Sequence, residues 1–236
     1  MSKLISKIIE VGQTDDGLLD AMFHLMDQTY SGVTLDRMKQ DLSNKQYLLS
    51  LLDDAGELRG FTTIQIFDSH FRGKTVKIIY SGDTVIGQEF RGELELMRAW
   101  WQFVDMIQRK HQDKDLYWML ISKGWRTYKF LPLFFKEFYP NKSCETPKEF
   151  QEFIDRLGSF KFPKEHKRGL VIPKQPDFLR IGRSDVPEYR KDDADILFFL
   201  GKNPDFYKGT ELVCVAKLHS SNLTKGGVRF SNGKKN

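Results

Sequence analysis

The chain is poor in cysteine. Its 236 residues include only Cys144 and Cys214, too few for a disulfide framework or a cysteine metal site and typical of free thiols in a reducing compartment. Apolar residues never run on for the roughly 20 positions that a membrane-spanning helix needs, so no membrane span is expected. The basic start, Met1 to Glu10, holds an apolar stretch too short and broken for a signal peptide, and a cytoplasmic location is the default expectation. His24, His70, His111, His166 and His219 show no His-x-x-x-His spacing, so no metal is expected. No Gly-x-Ser-x-Gly elbow presents a nucleophilic serine, and no internal repeat is present.

What remains has globular proportions, with 40% apolar and 29% charged residues, which excludes disordered and collagen-like chains. A chain of this length buries roughly 70% of its unfolded surface, so it needs no covalent staples. The net charge of +5 lies in the C-terminal end: Lys217, Lys225, Arg229, Lys234 and Lys235 face no acid there, and residues 1–216 sum to zero. Residues 219–236 therefore read as a basic, flexible tail behind a single domain over residues 1–218. Five charges make a weak phosphate footprint, and no nucleic-acid partner is expected.

The order of elements is mixed. Residues 3–11 carry the β-branched bias of a strand. Asp15 or Asp16 caps a helix with Leu18, Leu19, Met22, Phe23 and Met26 on its stripe, and Thr34 caps a second with Leu35, Met38 and Leu42. Residues 46–53 and 58–67, joined through Asp54-Ala-Gly56, read as an antiparallel hairpin, and residues 75–86 as the next strand. A long helix is expected over 90–112 and a short strand over 116–121. An aromatic helix kinked at Pro132 follows over 125–139, then a helix opened by Thr146-Pro147. Residues 158–193 read as a long excursion, and 145–193 as an insertion or cover within the domain. Residues 195–200 and 211–218 read as two closing strands.

This order does not alternate as a doubly wound sheet would. It resembles the fold of the GCN5-related N-acetyltransferases (GNAT), and the resemblance centres on Tyr80-Ser-Gly-Asp-Thr-Val-Ile-Gly-Gln-Glu-Phe-Arg-Gly-Glu-Leu94. It implies a mixed α/β fold with a central, mostly antiparallel sheet whose fourth and fifth strands splay apart. It also implies an acyl thioester donor in the opening, with backbone at Val85 and Ile86 holding the pantetheine arm. Phe90-Arg91-Gly92 matches the start of the family's Arg/Gln-x-x-Gly-x-Gly/Ala loop, which holds pyrophosphate on backbone N–H groups at a helix N-terminus. The family's further glycines are absent from residues 93–96. The family's acid, a tyrosine after the fifth strand, falls near Phe134, and Tyr128 or Tyr139 can substitute.

On this reading Asp83 is the base or orienting group for an amine nucleophile; its local alternative is a turn-capping carboxylate. Tyr128 or Tyr139 is the acid. Val85, Ile86, Phe90, Arg91 and Gly92 bind the donor, acyl-CoA or an acylated acyl carrier protein. The acceptor is a small-molecule amine. The dense aromatics Trp118, Trp125, Tyr128, Phe130, Phe134 and Phe135 are either core or an acyl slot; the slot would suit long acyl groups delivered by acyl carrier protein. A GNAT-like binding or scaffold protein without chemistry is the alternative reading.

Overall fold

A computed structural model of the chain describes residues 4–90, 94–180, 182 and 184–231. Six strands lie side by side in chain order: β1 (Ile5–Glu10), β2 (Tyr47–Leu52), β3 (Leu58–Phe71), β4 (Lys74–Ile86), β5 (Leu116–Ser122) and β6 (Glu211–Lys217). Every junction between them is antiparallel except β4–β5, which is parallel. Leu170–Val171 extends the sheet beyond β6 and pairs with His166–Lys167. The β2–β3 turn is closed by Asp53, whose carboxylate accepts from the N–H groups of Ala55 and Glu57 at 3.0 and 2.9 Å and from Arg59 Nε at 2.7 Å. Gly56 there has φ +82°, a conformation glycine reaches without strain.

A parallel junction needs a crossover, and α3 (Glu95–Lys110) supplies it, burying Leu96, Trp100, Phe103, Val104 and Ile107. On the same sheet face lie α4 (Trp125–Tyr128) and α5 (Phe130–Phe134). The other face carries α1 (Asp16–Thr29), α2 (Leu35–Leu42) and α6 (Lys148–Lys161). The two expected caps form: Asp15 accepts from Leu18 N–H at 2.7 Å and Thr34 from Arg37 N–H at 3.4 Å. Alternation along β4 sends Ile78 and Tyr80 into one core and Ile79 into the other. This is the mixed α/β layout that the GNAT resemblance implies. Among the described residues no helix is long and apolar enough to cross a membrane.

Three expectations change. Residues 195–200 are not a strand but part of α7 (Ala194–Lys202). Asp193 caps this helix, accepting from the N–H groups of Asp195 and Ile196, and Ile196 and Phe199 turn one face into the core; a short apolar run fits either element by period alone. The kinked helix over 125–139 is two short helices followed by extended chain, in which Tyr139 bridges to Val215. Within the expected tail, the described residues 219–231 pack against the body of the protein. Leu223 is buried, Thr224 Oγ1 donates to Leu133 O at 2.6 Å, and α8 (Lys225–Ser231) brings Phe230 to 5.3 Å from Phe134 between ring centroids. The excursion is tethered as well: Phe178–Leu179 pairs with Tyr30–Ser31.

Candidate active site at the strand splay

β4 and β5 stay paired from Lys77–Leu116 to Ser81–Leu120 and then part. The parting point is pinned by Ser81, 5% exposed, whose hydroxyl accepts from both Trp100 Nε1 at 3.1 Å and Trp118 Nε1 at 3.0 Å. Beyond it β4 bulges, setting Gly82–Val85 against Phe61–Thr63. Gly87 N–H bonds Arg59 O at 2.8 Å. Alternation then puts the backbone of Val85 on the β3 side and that of Ile86 on the edge β5 has left. The Val85 side chain is buried against α1 and α2. Of the two, Ile86 is the one whose backbone lies on that edge.

The opening leads into a cavity of about 610 Å³. β4 lines it from Tyr80 to Thr84, β5 with Leu120 and Ile121, α2 with Arg37, Met38 and Asp41, and the end of α6 with Lys161. The tethered excursion closes one side with Pro173, Lys174 and Asp177. Asp83 is half-buried at the centre, in the bulge. Burial raises its carboxyl to about 6, Lys45 lowers it, and the charge and hydrogen bond of Asp41 raise it again. Burial pushes Asp41 up too, but the Lys45 ammonium, an ion-pair and hydrogen-bond partner four residues on, holds it below its ordinary value. The two carboxyls are thus driven apart: Asp41 is held below its ordinary value, and Asp83 is raised to about 6.

The cations around this pair are also placed by the fold. The Lys45 side chain is 0% exposed, and its ammonium lies 3.2 Å from Thr63 Oγ1 and 5.1 Å from the Tyr80 ring centroid. Lys161 approaches the same ring at 5.0 Å. Lys123 pairs with Glu211 at 3.1 Å and lies 5.0 Å from the ring centroid of Tyr30, and Arg37 pairs with Asp177 at 3.0 Å. Burial, above all, raises the hydroxyls of Tyr30 and Tyr80, keeping both as proton donors. Among the described residues no group of three or more His, Cys, Asp or Glu side chains is set to hold a metal ion.

The residues expected on sequence grounds are only partly brought together. Asp83 stands in the cavity. Tyr128 does not line it: its side chain is 0% exposed, packs near Phe138, Phe198 and Phe199, and donates to Pro140 O at 3.0 Å. Its hydroxyl is raised far above its usual range, chiefly by burial. Tyr139 lies in a second hollow of about 310 Å³, donating to Glu137 Oε1 at 2.9 Å. Phe134, Phe135, Trp118 and Trp125 are core, not an acyl slot. Phe90 ends a single turn with its ring 5.7 Å from the Arg59 guanidinium. Arg91 and Gly92 lie outside the described residues. The first-turn acid Glu95 is engaged by Arg98 at 3.0 Å and by Ser6 at 3.4 Å.

Sequence reading missed Asp41, Lys161, Lys123, Glu211, Tyr30 and Tyr80 as cavity residues, and Lys45 as the buried partner of Asp41. Only Asp41 and Lys45 left a local signal, their spacing of four. The others meet through sheet pairing and helix packing.

No family model matches the chain, and no curated protein does. Solved structures resemble it in part. A GNAT family N-acetyltransferase, YhbS, from Escherichia coli in complex with CoA matches at 10% identity over 52% of this chain and 64% of its own, with a TM-score of 0.39. A probable N-acyltransferase from Enterococcus faecalis V583 matches at 16% identity over 53% and 31%, with a TM-score of 0.41. The NatC complex bound to Gag peptide and CoA matches at 12% identity over 92% and 99%, with a TM-score of 0.42. The match spans less than two thirds of the first two proteins. The GNAT-like fold assignment stands on the strand order, the single parallel junction and the splay.

Proposed function

We propose that this chain is a divergent GNAT-type N-acyltransferase that moves an acyl group from a thioester to an amine by direct attack in a ternary complex. The observation that carries the reading is the position of Asp83: a carboxyl raised by burial to about 6 lines the cavity opened where β4 and β5 part. The thioester arm lies along the freed edge of β4, on the Ile86 backbone, and the amine enters from the side of α2 and α6. The amine nitrogen attacks the thioester carbonyl carbon. A C–N bond forms, the nitrogen gives its proton to Asp83, and collapse of the adduct breaks the C–S bond. The thiolate leaves and takes a proton from water. No covalent enzyme intermediate is needed, because positioning two reactants supplies much of the rate.

The donor is acyl-CoA or an acylated acyl carrier protein. The N–H groups opening α3 suit a pyrophosphate, since Leu94 offers no side-chain cap and Glu95 is neutralised by Arg98. With the aromatic stretch buried as core, the case for a long acyl chain on a carrier protein loses its slot. Tyr128 and Tyr139 stand outside the acid role on this reading; Tyr80 and Tyr30 are the tyrosines of the cavity. That same absence favours the second reading, a GNAT-like binding protein without chemistry.

Thermal stability measured with acetyl-CoA, a long-chain acyl-CoA and acylated carrier protein, each added alone, tests the proposal. A donor at about 100 times its dissociation constant adds roughly 2.7 kcal/mol. A shift with one donor, followed by amine-dependent thiol release that Asp83→Asn abolishes, upholds the transferase. No shift with any donor favours the binding protein.

A further inference from the structure

The cations of the cavity are not equally satisfied. Arg37 has Asp177 at 3.0 Å and Lys123 has Glu211 at 3.1 Å. Lys45 is in close contact with Asp41. Lys161 is different. Its side chain is only 10% exposed, yet among the described residues its one carboxylate neighbour within ion-pair range is Asp41 Oδ1 at 3.9 Å, and Asp41 is already engaged by Lys45. Its other close partner is the Tyr80 ring face. An ammonium this sheltered is costly without an anion. It also lies close enough to Asp83 for the two charges to interact.

The remaining charged groups do not supply that anion. Glu165 accepts from the backbone of Lys174 at 3.0 Å, and Glu211 and Asp177 hold their own cations. Asp83 must be free to take the proton of the attacking amine. The cavity therefore has a base for an amine and, beside it, a cation short of an anion.

We propose that the acceptor is an amine that also carries an anionic group, carboxylate or phosphate, a few bonds from its nitrogen, and that Lys161 selects it by pairing with that group. The proposal rests on the acyl-transfer reading for its chemistry and on the cavity alone for its binding. The reaction is the one already written, with the anionic group unchanged throughout. Lysine acts here as a point charge and does not by itself choose between carboxylate and phosphate.

The test uses the full chain with the donor that stabilises it and five amines. Glycine and L-glutamate carry a carboxylate, phosphoethanolamine carries a phosphate, and glycinamide and ethanolamine carry no anion. The expected result is a kcat/KM for one of the anionic classes at least about tenfold above the neutral amines, with that ratio collapsing towards 1 in Lys161→Met and partly restored in Lys161→Arg. The exposed Lys164→Met serves as the control and keeps the ratio. Carboxylate amines winning over phosphoethanolamine, or the reverse, names the anion. Neutral amines acylated as well as anionic ones, or a ratio untouched in a folded Lys161→Met, overturns the proposal. If that variant does not fold, the wild-type ratio decides. If no amine is acylated with any donor, the transferase reading fails. The cavity claim is then judged by ligand-observed NMR: glycine, glutamate or phosphoethanolamine binding to wild type, more weakly to Lys161→Arg and not to Lys161→Met upholds it, and no binding by any of the three, or binding unchanged in Lys161→Met, overturns it.

Discussion

Asp83 shows what a single residue's surroundings do to its chemistry. An ordinary carboxyl, at 3.8, is a poor base for an amine; burial and the adjacent Asp41 bring this one to about 6. In the proposed role as base the ionised form is the active one, so kcat/KM should rise with pH through about 6 and then level off. Asp41→Asn removes the neighbouring negative charge and should move that limb to lower pH, which a pH–rate profile measures. The sign for stability is opposite. A carboxyl raised on folding costs stability as pH climbs from 3.8 past 6. Asp83→Asn should match the wild-type Tm near pH 4 and exceed it above pH 6, while losing on the order of 10²-fold or more in turnover. Melting curves at the two pH values separate lost chemistry from lost fold. Ser81 makes the complementary case. Ser81→Ala leaves two buried indole N–H groups without an acceptor, at about 1–3 kcal/mol each, and chemical denaturation should show the loss.

At the scale of elements, local and tertiary signals diverge. The turn expected through Asp54-Ala-Gly56 forms, closed by Asp53, and so do the caps, Asp15 rather than Asp16 for the first helix and Thr34 for the second, because each is settled by atoms within a few residues. Residues 219–231 do not follow their reading. The glycines, serines and lysines of this end read as loose, yet Leu223, Thr224 and Phe230 meet Leu133 and Phe134 across some 90 residues. Truncation after Leu218 should lower Tm by several degrees, since losing a packed aromatic and a buried leucine costs about 2–5 kcal/mol; a true tail would be silent. Gly82, at the bulge, is a tighter constraint. A Cβ there would come within 2.5 Å of Lys45 Nζ and 3.1 Å of Thr63 Oγ1. Gly82→Ala should displace the ammonium from Asp41 and shift the pH–rate limb.

For the whole molecule, helices on both faces leave one place where the sheet is open, and the excursion crosses that opening. Its anchors are the pairing of Phe178–Leu179 with Tyr30–Ser31, the Arg37–Asp177 ion pair and the Arg180–Asp27 ion pair at 3.0 Å. These tie residues about 150 positions apart into one wall of the cavity. Asp177→Ala should release that wall, raising KM for the amine several-fold more than it changes KM for the thioester, as steady-state kinetics with each substrate varied would report.

Composition, caps, turns and strand periodicity were legible without coordinates, and so was Asp83, because each is a matter of local chemistry or of one short motif. The identity of α7 was not: Asp195 to Leu200 has a strand's composition and becomes a helix because Asp193 caps it and the core takes Ile196 and Phe199. Nor was the exclusion of Tyr128 and Tyr139 from the cavity: Tyr128 belongs to the core on the α3 face, and Tyr139 shares the cavity's face but packs against Phe150 in a separate hollow. The charge network of Asp41, Lys45, Lys161, Lys123 and Glu211 exists only after β4 and β5 part and α2 and α6 pack over the gap. Packing then gives those charges their partners, and packing is a property of the assembled fold, not of any stretch of chain.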